Sequence, residues 1–135
     1  MASGRRGFEG GSALPLFTGL VFVAFIVLGL AIDIARAHGA FLETSIVADA
    51  ASEGGAAMID VAAVHSGLSQ LDLAAAEDEA RRIAGLHEPT VSDISVSGEI
   101  VCVEVAAVHR TLTLAFVGLR DIDIVVRSCS ELRVG

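Results

Sequence analysis

The chain has 135 residues, of which 53% are hydrophobic; it carries nine Arg, no Lys and seventeen acidic residues, for a net charge of −8. That acidity, with no Trp and no Tyr, excludes a nucleic-acid-binding face, which needs a basic surface and stacking aromatics. The length allows one small domain besides any membrane segment.

Residues 1–12, MASGRRGFEGGS, read as a short leader. Behind them, Ala13 to Ile32 form a run of twenty residues without a charge. As a helix this run reaches about 30 Å, the hydrocarbon thickness of a bilayer. Two Arg and one acid precede it, whereas from Asp33 onward seven Arg face sixteen acids, a net of −9. The positive-inside tendency places the N-terminus in the cytoplasm and the rest outside a cytoplasmic membrane.

No Pro interrupts the chain between Asp33 and Val64. On a helical wheel Ile34, Ala37, Phe41, Ala48, Gly55, Ile59 and Ala62 share one face, with Asp49, Glu53 and Asp60 opposite, which is amphipathic periodicity. The spacing predicts one helix over 13–64, about 78 Å long. Its first half would span the membrane. Its second would offer a face of small residues that lets helices approach closely. Gly54-Gly55 is the weak point, at about 1 kcal/mol per Gly relative to Ala.

His65-Ser66-Gly67 ends that helix and begins a small extracytoplasmic domain over 68–135. Ser69 to Asp72 resembles a capping box for a second helix running to about Leu86, with Leu73, Ala76, Ala80 and Ile83 inward. Glu77–Arg81 and Asp78–Arg82 are spaced as i,i+4 pairs. The remainder reads as three antiparallel strands. A turn at Ser97-Gly98 would pair Ile94 with Val101 and Asp93 with Cys102. Val101, Val103 and Val105, and then Ile122, Ile124 and Val126, alternate with polar residues. Cys102 and Cys129 both fall on the mixed, more polar face, where pairing of their strands permits a disulfide. Residues 111–119 (TLTLAFVGL) stay open between a strand, a helical turn and a packed loop. The fold class is α+β.

No segment carries catalytic or cofactor chemistry. The four histidines, His38, His65, His87 and His109, are 22 to 27 residues apart, and none forms an HxxxH or HExxH pair, so no metal site is expected. Glu77-Asp78-Glu79 reads as a solvated helix face. The cysteines lack the CxxC spacing or basic neighbours of a nucleophile. The expectation is a non-enzymatic protein without cofactor or metal.

Three readings of the N-terminus remain. A cleaved signal would use Arg5-Arg6-Gly7-Phe8 as a twin-arginine core and cut near Ala37 at Ala35-Arg36-Ala37, releasing a secreted small domain. A plain signal anchor would hold an envelope domain unrelated to pili. The third reading follows from residue patterns. Arg6-Gly7, Gly11-Ser12-Ala13-Leu14-Pro15-Leu16, Gly29-Leu30-Ala31-Ile32-Asp33-Ile34-Ala35-Arg36 and Ala48-Asp49-Ala50-Ala51-Ser52-Glu53-Gly54 together resemble the TadE/TadG-like proteins. These are pilin-like components of tight-adherence (Flp, type IVb) pilus systems.

The resemblance implies a membrane-anchored minor subunit or assembly component, with other pilin-like subunits and the inner-membrane assembly platform as partners. It also implies processing by a prepilin peptidase after a Gly and an acid at the fifth mature position. Cleavage after Gly7 makes Phe8 the first mature residue and Ser12 the fifth, so that acid is missing. Glu9 is then a displaced acidic partner for the new amine. Cleavage after Gly4 would place Glu9 fifth but start the mature chain with Arg5 and Arg6. The missing acid argues for a minor, tip or initiating subunit, or an uncleaved assembly factor. Glu9, Ser12, Asp33 and Arg36 are the assembly residues implied.

Overall fold

A computed structural model describes residues 13–87 and 89–132. One helix, α1 (Ala13–Ala56), is followed by a short α2 (Val61–His65), by α3 (Leu73–Ala84), and by strands β1 (Thr90–Ser97), β2 (Ile100–Arg110) and β3 (Asp121–Glu131), with a 3-10 turn at Leu114–Val117 between the last two. The strands form an antiparallel meander in the order β1-β2-β3. The fold is α+β, as the residue pattern implies.

The 44 residues of α1 extend about 66 Å. From Pro15 this is one helix long and apolar enough to cross a membrane. Its inward residues follow a helical period: Gly29, Asp33, Ala37, Ala40, Thr44, Val47, Ala48, Ala51, Ser52 and Gly55 are buried or half-buried. The expected apolar face is only partly used. Ala37, Ala48 and Gly55 turn inward, while Ile34 and Phe41 stay exposed. Close packing here selects small side chains over large ones. Gly55 shows why: a Cβ there would lie 2.9 Å from the Ala76 carbonyl oxygen and 3.0 Å from Val101 Cγ1.

The helix does not continue to Val64. It ends at Ala56, where the amides of Ala57 and Met58 turn back onto Glu53, Gly54 and Gly55 carbonyls. The chain then runs extended, and Ile59 bridges to Leu71. Asp60 is no part of a charged helix face. Its carboxylate accepts the Ala62 and Ala63 N–H groups and starts α2, the non-helical alternative that Asp offers the backbone.

Asp72 likewise caps α3 directly, accepting from the Ala75 N–H, so no capping box based on Ser69 forms. The inward stripe of α3 is Ala76, Ala80 and Ala84, with Ile83 half-buried and Leu73 exposed. Arg81 pairs with Glu77 as expected, but Arg82 pairs with Glu79 rather than Asp78. The Arg82 side chain holds the Glu79 carboxyl below its ordinary value.

The first hairpin turns at Gly98-Glu99, pairing Ser97 with Ile100, Val96 with Val101 and Ile94 with Val103. Gly98, at φ 62°, takes the first central position, where a two-residue hairpin favours Gly. The turn is centred one residue later than the pattern suggests. The pairing therefore shifts by two, which leaves every side chain on its expected face. Val101, Val103 and Val105 face α1 and α3 and are fully buried. Cys102 and Cys129 are directly opposed in the β2–β3 register on the other face, and they are disulfide-bonded. Ser52 links α1 to the sheet through the Ser128 and Ser130 hydroxyls at 3.2 and 3.0 Å.

Two glycines on α1 should therefore respond oppositely to alanine. Gly39 has nothing within 4 Å of a built Cβ, so Gly39→Ala gains about 0.5–1 kcal/mol of helix stability. At Gly55 overpacking, about 1–3 kcal/mol, outweighs that gain, so Gly55→Ala destabilises. Denaturant unfolding of the full chain in detergent micelles measures both. A stabilised Gly55→Ala variant would contradict the packing described.

Candidate functional site

The first charge after the apolar run is buried. Asp33 is 1% exposed, and its carboxylate is satisfied from far along the chain. Oδ1 accepts the Leu112 N–H at 2.9 Å, and Oδ2 accepts those of Thr113 and Leu114 at 2.7 and 2.9 Å. These three successive donors lie at the entry to the 3-10 turn, where helical hydrogen bonding leaves amides unpaired. Asp33 thus works as an N-cap supplied by another element. An ionised carboxylate suits the task because its oxygens only accept. A buried charge requires such partners.

Gly29, one turn earlier on the same face of α1, completes the contact. A Cβ there would collide with the Thr113 side chain, coming within 2.8 Å of its Cγ2 and closer still to its Oγ1. Glycine at 29 and a carboxylate at 33 therefore receive residues 112–114 as a unit.

The sheet carries that loop to this point. Val101 lies against Gly55, and Leu112 meets Asp33. β2 therefore descends α1 toward the apolar run, and β3 returns from it. The loop is tied across its base, where the Thr111 N–H donates to the Arg120 carbonyl at 2.9 Å and the Thr111 hydroxyl donates to the Leu119 carbonyl. The segment whose structure the sequence leaves open is thus a closed loop built around one 3-10 turn.

The other residues singled out by sequence fall elsewhere. Gly7, Phe8, Glu9 and Ser12 lie outside the described residues. Arg36 is exposed on α1, one turn beyond Asp33. Asp33 engages its own chain through the loop. Cys102 and Cys129 lie on the outer face of the sheet, away from Asp33. Sequence reasoning missed Thr113 and its neighbours as partners of Asp33. Asp33 bonds there to backbone amides alone, so no side-chain pattern at 112–114 signalled the pairing.

A concavity of about 580 Å³ opens between α1, the start of β1 and the end of β2, with Glu43, Thr44, Thr90 and His109 among its walls. The His109 Nε2 is buried there without a hydrogen-bond partner. Among the described residues no group of three or more His, Cys, Asp or Glu side chains is placed to hold a metal ion.

Comparison of the chain with protein-family models, with curated proteins and with solved structures finds no match in any of the three.

Removing the carboxylate should free the loop while sparing the sheet. Asp33→Ala strands three amides, and Asp33→Asn sets an NH₂ group against an N–H donor. Both variants should expose residues 112–119 to limited proteolysis several-fold faster than wild type, with the Cys102–Cys129 disulfide retained. Equal cleavage rates in all three proteins would contradict the clamp.

Proposed function

We propose that this chain is a single-pass, non-catalytic, pilin-like minor subunit or membrane-anchored assembly component of a tight-adherence (Flp, type IVb) pilus. The observation that carries the reading is the continuity of α1. From Pro15 to Ile32 every residue except Gly29 is exposed, and the same helix then becomes the packing surface of the α+β head. So much contiguous apolar surface is foreign to a free soluble monomer. A bilayer covers it before assembly, and neighbouring helices cover it afterwards. The TadE/TadG-like residue pattern gives the reading its specific form. The partners are other pilin-like subunits and the inner-membrane assembly platform, with a prepilin peptidase acting on the leader. The N-terminus lies in the cytoplasm and the head lies outside, where an exposed disulfide is chemically at home.

The burial of Asp33 favours this reading over a secreted domain. A cut after Ala37 would remove the carboxylate that three loop amides need, along with Gly29 and the first inward turns of α1.

Intact mass of the protein extracted from producing-cell membranes tests the proposal. Loss of residues 1–7 is the expected result. A full-length chain would leave a signal anchor unrelated to pili or an uncleaved assembly factor. A soluble product beginning after Ala37 would overturn the proposal.

A further inference from the structure

The loop between β2 and β3 has an outer surface that the clamp does not use. Residues 112–119 contain no charge. Phe116 is 92% exposed and Val117 75%, and Leu112 and Leu119 are exposed beside them. Such a cluster at a loop tip is costly in water.

Its position on α1 says what covers it. Thr113 packs on Gly29, which lies inside the uncharged run 13–32. Asp33, which holds the loop's amides, is the first residue beyond that run. The loop is therefore pinned at the end of the span and reaches at least one helical turn, about 6 Å, along it. We propose that residues 112–119 form a second membrane-contacting element, seating Leu112, Phe116, Val117 and Leu119 in the lipid leaflet next to the end of the span. This rests on the reading of α1 as a membrane helix.

Two independent features fit the loop for that place. Most of its backbone N–H groups are paired within the protein: Leu112, Thr113 and Leu114 donate to Asp33, Phe116 to Thr113, Gly118 to Ala115, and Leu119 to Leu114. Non-helical backbone at membrane depth needs that internal pairing, because hydrocarbon offers no partners. The loop is also bracketed by Arg110 and Arg120, both exposed, with exposed Arg36 on α1 one turn beyond the clamp. Cations around an apolar tip match phosphate headgroups around an acyl core. Lipid, rather than a protein partner, is the occupant because the tip is held beside the very surface that lipid covers.

The test uses the full chain in phosphatidylcholine vesicles with its native disulfide intact. Single cysteines are introduced as Phe116→Cys, Ile26→Cys and Ser97→Cys, and each is labelled with an environment-sensitive fluorophore. Phe116 is so exposed that its replacement leaves the core untouched. Ile26 reports on the span, and Ser97 lies at the opposite end of the sheet, in the first hairpin. With a quencher carried on the lipid acyl chains, the 26 and 116 labels should be quenched several-fold more than the 97 label. If the 26 label is quenched and the 116 label matches 97, the loop proposal is overturned and the membrane reading stands. If 26 is not quenched, both fall. A 116 label shielded from aqueous iodide but untouched by the lipid quencher means that a second copy covers the tip, which also overturns lipid contact.

Discussion

The architecture depends on one carboxylate. Asp33 stands where the uncharged run ends, and it binds backbone amides 79 to 81 residues further along the chain. Without it, the base of the sheet would meet the helix there only through the packing of Thr113 on Gly29. With it, the distal hairpin is anchored to the base of α1, and the head has a fixed orientation relative to the apolar segment. Such a joint suits the proposed membrane subunit, whose head would present itself at a set angle to neighbours. A charge is well suited to make it, because an unpaired carboxylate in that position would be expensive.

Above this joint the core is built mainly from Ala, Gly, Ser and Val, closed by Leu71 and Leu132. α3 approaches α1 at Gly55 through its alanine stripe and at Gly54 through Ile83, and the valines of β2 fill what remains. Such a core buries modest apolar area per residue. The disulfide across β2 and β3, closing a loop of 27-residue separation, compensates by restricting the unfolded chain, an effect of about 3.5 kcal/mol. That division of labour suits a protein whose large side chains on α1, such as Ile34, Phe41 and Ile46, face outward. The helix spends its small residues on its own head and leaves its large ones exposed.

Much of this was legible in the residues themselves. Charge absence marked the run, period-two alternation placed the three strands, and parity put both cysteines on one face. Parity survived even the misplaced hairpin centre, because a shift of two residues preserves sidedness. What failed had local competitors. Asp60 matches a helical face as well as a cap, and Asp72 matches the closing acid of a capping box as well as the cap itself; the choice was made by tertiary contacts, the Ile59–Leu71 bridge among them. The clamp was illegible for a different reason. Asp33 bonds to backbone amides, which every residue except proline has, so no side-chain pattern at 112–114 announces it.

The most direct measurement is residue-resolved amide hydrogen exchange on the full chain in lipid nanodiscs. The account predicts that the amides of Leu112, Thr113 and Leu114 are protected nearly as strongly as those of β2, despite lying in a loop. Exchange of those three amides at the rate of an open, solvent-facing turn would contradict it.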